Sequence, residues 1–239
     1  ADDALSLRVC AAEQMMRSGH LDQGSTLLAD ILNELGMRVS PTPRRALLTM
    51  LALRVRIRLR GLRFEPRDPT DRRRIEACWA VSAGLSMVDT MRGVEFQARH
   101  LLLSLRAGDR LNISRAFALE AMYLCVGGPQ TASRTARLLD LATETCAEDP
   151  GCVGLVHAGR SLRAFQLGQF PEAFEAAERA LDVFRNQCVA TSWEVDSTEL
   201  FALWSLYYTG QWSELSRRAM ALRQHARDRG DLFGETGLS

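Results

Sequence analysis

The sequence predicts an all-α fold, a right-handed α-solenoid of antiparallel helix pairs with about ten or eleven helices. One phrase occurs three times: a helix ends at glycine, an apolar residue follows two places later, and an amphipathic helix begins. The copies are Gly19-His20-Leu21, Gly168-Gln169-Phe170 and Gly210-Gln211-Trp212. The last two open runs that align, Phe170, Ala173, Ala177, Ala180 and Leu181 against Trp212, Leu215, Ala219, Leu222 and Arg223, with four of the five places apolar. Gly127 lies 41 residues before Gly168, which lies 42 before Gly210. A further step back reaches Ser86, so about four units repeat between residues 70 and 230. One helix pair leaves an apolar face open, and a stack of pairs closes it into a continuous core with a long surface. Composition agrees: Ala, Leu, Arg and Glu outnumber Val, Ile and Thr, and no long stretch alternates apolar and polar residues, so strands have little support.

Punctuation sets the elements. A first helix is expected over residues 3–18 and a second over 21–35, stopped by Gly36. Ser40-Pro41-Thr42-Pro43 breaks the chain and starts a helix to Leu59, with Thr42 as N-cap and Pro43 in the first turn. Residues 61–69 form the longest expected loop. Thr70 caps a helix to Met87, and Asp89 or Thr90 caps the next, over 91–107. Further helices are expected over 111–125, 132–147, 152–167, 171–187, 193–208 and 212–229. Turns such as Gly127-Gly128-Pro129 and Glu148-Asp149-Pro150-Gly151 are short enough to force antiparallel neighbours.

The 239 residues suffice for a sizeable core and read as a single array over 1–239. The sequence opens on Ala1 inside a helical pattern and stops just after a new pattern begins at Asp231-Leu232-Phe233, so a piece of a longer multidomain protein is expected. All thirty basic residues are Arg. Net charge is +1, yet residues 38–74 hold twelve Arg against Glu65, Asp68 and Asp71. The six cysteines sit among apolar residues without framework spacing and read as reduced core thiols of a cytoplasmic protein. No apolar run approaches the ~20 residues of a bilayer span, so no membrane partner is expected.

Gly168-Gln169-Phe170-Pro171-Glu172-Ala173 with Ala177, Ala180 and Leu181 resembles the turn and second helix of a tetratricopeptide repeat. The longer unit is similar to the tetratricopeptide-like solenoids attached to signalling ATPases, as in transcription activators of the bacterial maltose-regulator type. A second set of segments resembles the C-terminal helical region of large bacterial proteins that carry a serine/threonine protein kinase domain and then a P-loop ATPase module. These are Arg60-Gly61-Leu62-Arg63-Phe64, Ala77-Cys78-Trp79-Ala80-Val81, Gly84-Leu85-Ser86-Met87-Val88-Asp89-Thr90 and Phe96-Gln97-Ala98-Arg99-His100. That resemblance implies a partner-binding or sensory array that regulates attached kinase or ATPase domains, with no catalytic residue in this stretch. A stand-alone adaptor and the inducer-sensing solenoid of a transcription activator are the alternatives.

The residues themselves offer no catalytic set. Without lysine there is no Walker lysine, and no HRD, DFG, G-x-S-x-G or H-E-x-x-H pattern occurs. No cofactor is expected. Cys146, Cys152 and His157 have the only spacing with a hint of metal ligation, but zinc sites use tighter cysteine pairs and a fourth ligand, so core packing is the better account. The Arg-rich helix around Arg54, Arg56, Arg58 and Arg60 is read as a solvated face with salt bridges to neighbouring repeats or as a dock for the adjacent domain; such a face can also hold phosphate or a phosphorylated loop. Few stacking aromatics accompany it, which argues against nucleic acid. Trp204, Tyr207 and Tyr208 stand at helical spacing and are assigned to core or repeat-to-repeat packing, with a groove for a partner helix or an apolar ligand as the alternative; Glu194, Asp196 and Glu199 are assigned to helix-end electrostatics. Arg54, Arg58, Phe64, Trp79, Arg99 and His100 are the candidate interaction surface toward a protein partner or adjacent domain, and a small effector is a possible second ligand.

Overall fold

The computed structural model describes residues 7–9, 11, 12, 14, 15, 20–66, 71–85, 89–189 and 191–229. Besides the helical residues 7–9, 11, 12, 14 and 15, ten α-helices and one 3-10 turn are found among them, and no strand. We number them α1 (Leu21–Glu34), α2 (Pro43–Arg60), α3 (Arg72–Leu85), α4 (Thr90–Ala107), α5 (Arg110–Cys125), α6 (Ala132–Thr145), α7 (Pro150–Gln166), α8 (Phe170–Gln187), α9 (Ser192–Tyr208) and α10 (Trp212–Arg229). Of the helix expected over 3–18, residues 7–9, 11, 12, 14 and 15 are described and all are helical; the cap at Thr70 lies outside the described residues.

Local chemistry accounts for the ends. The Thr42 hydroxyl accepts from the Arg45 N–H, and the Asp89 and Asp149 carboxylates accept from the N–H groups of Arg92 and Cys152. Each thereby satisfies one of the orphan donors of a first helical turn. Asp149 and Pro150 start α7 two residues before the expected Cys152. Gly36, Gly168 and Gly210 adopt left-handed φ of 66°, 74° and 72°, and each closes a Schellman motif. In the copy at Gly168, its N–H donates to the Phe165 carbonyl at 3.0 Å and the Gln169 N–H to that of Ala164 at 2.9 Å. The copy at Gly210 repeats both bonds, onto Tyr207 and Leu206.

Gly127 is different. Its φ is −72°, and the left-handed residue there is Gly128, which opens a 3-10 turn over Gly128–Thr131. The spacing from Gly127 to Gly168 therefore joins turns of two geometries. Residue 147 was also expected inside a helix; α6 ends at Thr145, and Ala147 and Glu148 both take positive φ.

The chain divides into two compact units, Ala1–Ala116 and Phe117–Ser239, with the boundary inside α5. In the first, α3 packs along α4, α2 lies on α4 and α1 meets α3. Leu28, Ile31 and Leu32 of α1, Ala77, Cys78 and Val81 of α3 and Phe96 of α4 form its core. In the second, α6 meets α7, α7 packs on α8, α8 on α9 and α9 on α10, and α9 also reaches α7. Most packing is thus between sequence neighbours. The inner stripe of α8 is Ala173, Ala176, Ala177 and Ala180, all buried. Small side chains there let the backbones of α7 and α8 approach closely, and the buried Ser161 hydroxyl of α7 donates to the Ala173 carbonyl at 2.8 Å.

Candidate docking surface

Helix α9 carries apolar side chains on both of its sides. Thr198, Glu199, Ala202, Leu203, Ser205 and Leu206 are buried, and at about 100° per residue they share one side of the helix. Trp204, Tyr207 and Tyr208 fall on the opposite side and are 41%, 53% and 59% exposed. The core part of the assignment made for these rings is thus corrected: the helix packs inward through Ala202, Leu203, Leu206 and polar residues, and presents its largest rings, packed against neighbouring helices, partly to solvent.

Neighbouring elements extend the ring surface. Phe165 at the end of α7 contacts Phe201, Trp204 and Tyr208 at centroid distances of 5.6, 5.8 and 5.8 Å. Phe170, the first residue of α8, stacks on Tyr208 at 4.6 Å with only 10° between the planes. Beyond the Gly210 turn, Trp212 is 57% exposed and meets Tyr207 edge-to-face at 5.1 Å. The two glycine turns therefore have one purpose in common: each places an aromatic (Phe170 or Trp212) against the outer face of α9. Offset and edge-to-face contacts of this kind are worth ~0.5–1.5 kcal/mol each beyond area burial, so the rings hold one another in place. Neither tyrosine hydroxyl and neither the Trp204 nor the Trp212 indole N–H bonds to any described residue, leaving polar handles at the rim of an apolar patch.

Behind this patch the packing is fixed by ions. Arg218 of α10 donates to both carboxylate oxygens of Glu178 on α8 at 2.7 Å and to Glu214 at 2.6 Å. Its guanidinium lies over the Phe174 ring, 5.1 Å from the centroid. Glu199 of α9 pairs with Arg185 and lies 3.9 Å from Arg218. Glu199 is therefore a buried cross-helix anchor, which corrects its assignment to helix-end electrostatics. Hydrogen bonding to Glu178 is the largest of the effects that raise the Arg218 proton affinity.

The six residues named from the sequence do not form one surface. Arg58 is exposed on α2 and Arg54 of the same helix is half-buried. Phe64 is half-buried beside a cleft shared with Arg60, Arg63, Leu105 and Arg106. Arg99 is half-buried, donating to the Arg38 carbonyl at 2.9 Å and pairing with the buried Glu95. Trp79 and His100 are corrected: both are buried, with ring centroids 5.7 Å apart, and the Arg115 guanidinium sits over the indole. Burial, reinforced by the positive charge of Arg115, pushes the His100 imidazole down to about 3, so it is neutral. A buried indole and a buried neutral imidazole have no face to offer a partner.

Cys78, Cys125, Cys146 and Cys152 are buried free thiols; Cys10 lies outside the described residues. Among the described residues no three His, Cys, Asp or Glu side chains are placed to share a metal ion, and no helix is long and apolar enough to cross a membrane. An apolar hollow behind α9, lined by Leu155, Phe184, Trp193 and Phe201 among others, has a volume of about 40 Å³, far below the ~300 Å³ that small-molecule sites begin at. Comparison with family models, with curated proteins and with solved structures finds no match.

Proposed function

We propose that this chain is a non-catalytic interaction scaffold that docks a protein partner on the aromatic face of α9 and the start of α10. The observation that supports this reading is the outer face of α9: Trp204, Tyr207 and Tyr208, extended by Trp212 of α10, are 41–59% exposed and are linked into one patch through Phe165 and Phe170, although the helix already buries Ala202, Leu203 and Leu206 on its other side. Contiguous apolar patches on a soluble surface mark interaction sites, and Trp and Tyr are the residues that most often dominate binding energy, because they bury large rigid area with few torsions to freeze. The helix pairs form a tetratricopeptide-like solenoid in this reading. Its docked partner is the kinase or ATPase region of the same polypeptide that the sequence resemblance implies, and docking favours one arrangement of the array over its catalytic neighbours.

The test is to read the coding region upstream, where lack of a kinase or ATPase signature would overturn this choice of partner, and to titrate this chain calorimetrically with the module found there. Trp204→Ala and Trp212→Ala, both at exposed rings, are expected to weaken binding by at least about tenfold each, the loss of a hot-spot contact. Unchanged affinity in both variants would overturn the assignment of the surface, and ATP turnover by the isolated chain would overturn its non-catalytic character.

A further inference from the structure

Helix α2 carries a second outward surface, of another chemistry. Ala46, Met50 and Ile57 are buried and mark its inner side. On the opposite side stand Leu48, Leu51, Val55 and Leu59, all between 48% and 84% exposed, with Leu47 at the margin. Their spacing is three, four and four residues, and on an ideal helix they fall within an arc of about 80°. The seam they make is about 16 Å long. An apolar stripe this narrow has the form of a coiled-coil seam, narrower than the face a helix buries in a core or lays on a bilayer.

Its flanks are entirely cationic. From Pro43 to Arg60 the helix holds Arg44, Arg45, Arg54, Arg56, Arg58 and Arg60 and no acidic residue. Arg45 and Arg56 border one side of the stripe, Arg58 the other. Arg44, Arg45, Arg56 and Arg58 make no ion pair among the described residues. The Arg60 guanidinium is taken up by carbonyls, donating to those of Gly61, Arg63 and Leu105 at 3.1, 2.8 and 2.7 Å. Arg106 of α4 comes close enough to Arg56 and Arg60 that, after its partial burial, their charges lower its hold on its proton. Arg44 and Arg45 also occupy the first turn, where cations oppose the positive end of the helix dipole. Arg44, Arg45, Arg56 and Arg58 thus carry like charge that no described carboxylate pairs with.

We infer that α2 docks an acidic amphipathic helix of a protein partner, whose leucine-type seam packs on Leu48, Leu51, Val55 and Leu59 while its flanking glutamates meet Arg45, Arg56 and Arg58. Charge complementarity selects this occupant. A second copy of the chain in the same mode would set arginine against arginine. A bilayer would be met by a narrow stripe that lacks aromatic side chains, where interfacial helices present a broad face with Trp or Phe. The inference does not rest on the aromatic face of α9, which belongs to the other unit.

The probe is a fluorescein-labelled helical peptide of four heptads with Leu at the seam positions and Glu on both flanks, followed by anisotropy on the whole chain. Saturable binding is expected, weakening about tenfold as salt rises from about 0.05 to 0.5 M. Leu51→Ser with Val55→Ser, at exposed positions that leave the fold intact, is expected to weaken it about tenfold or more, and so is Arg56→Glu with Arg58→Glu. The same peptide with Lys on its flanks is expected not to bind, and Trp204→Ala to bind as the wild type does. Three outcomes would overturn the inference: equal affinity of the Ser double variant, which would reduce the effect to bulk charge; sedimentation of the chain with phosphatidylglycerol–phosphatidylcholine vesicles and no peptide binding; or self-association that Leu51→Ser abolishes.

Discussion

Replacing Gly154 by alanine pits two effects of known size against each other. Gly154 lies inside α7, where an exposed Gly→Ala change stabilises a helix by ~0.5–1 kcal/mol through lost backbone entropy in the unfolded chain. Here the added Cβ would lie 2.3 Å from Phe184 Cε1, 2.7 Å from Cδ1 and 2.8 Å from Cζ. Carbon atoms in contact sit about 3.5–4 Å apart, so the ring must retreat by more than about 1 Å. Phe184 is buried, and a packed core resists such a shift at ~1–3 kcal/mol. The net expectation is destabilisation by about 1–2 kcal/mol. In a Phe184→Leu background the obstruction goes, and the same glycine change is expected to become stabilising, giving a coupling of about 2 kcal/mol in the double-mutant cycle. Gly159 grades the series: its nearest obstacle is the tip of Leu139, Cδ2 at 2.7 Å, so Gly159→Ala should cost less. Urea unfolding followed by circular dichroism at a fixed pH measures all four. A Gly154→Ala variant more stable than wild type by the full helix-propensity gain would refute the close seating of Phe184 on α7.

Two other outcomes follow from the buried polar groups. His100 is neutral in the folded chain down to about pH 3, while the unfolded chain binds a proton near pH 6.5, so its contribution is complete above about pH 7 and lost as pH falls; at pH 5 the loss is about 2 kcal/mol. His100→Gln should flatten the decline in urea midpoint between pH 7.5 and 5, leaving a residue from His157, whose imidazole burial also lowers; an undiminished decline would refute the assignment. Arg218→Met strips Glu178 of both its bonds to Arg218 and should cost about 2 kcal/mol, with faster amide exchange across α10. Exchange in α10 that matches wild type would show that the ion cluster does not dock that helix.

How much of this was legible depends on the range of the physics involved. Helix ends are written in three or four consecutive residues: Thr42-Pro43, Asp89 and the glycines at 36, 168 and 210 each stop or start a helix by a bond made within one turn, and α10 begins and ends where its pattern does. Gly127-Gly128-Pro129 was misplaced in the repeat because two adjacent glycines leave open which one takes positive φ, and the Thr131 hydroxyl settles it by donating to the Leu124 carbonyl at 2.8 Å. Burial is longer in range. Trp204, Tyr207 and Tyr208 share a side of α9 at a spacing that fits a core stripe equally well, and what decides is which side α8 covers. One signal was present: Ala202, Leu203 and Leu206 already form an aliphatic side opposite the rings, enough to seat the helix without them. Trp79 and His100 were named on the candidate surface, yet α3 and α4 pack through those two positions.

The two outward faces differ in the force they use, and that difference separates them experimentally. On α9 the patch carries rings and hydroxyls, so its docking energy comes from buried area and is nearly indifferent to salt at the concentrations that screen charge. On α2 the apolar seam holds four aliphatic side chains, too few to bind tightly alone, and the arginines must supply orientation and encounter rate. Raising salt therefore acts on one surface and spares the other. A net charge of only +1 means that neither effect is masked by the field of the whole molecule, since the basic character is concentrated between residues 38 and 74 and balanced elsewhere. Titrated in low and in high salt, the wild-type chain and the two sets of variants would assign any partner to its helix from the slope of affinity against ionic strength.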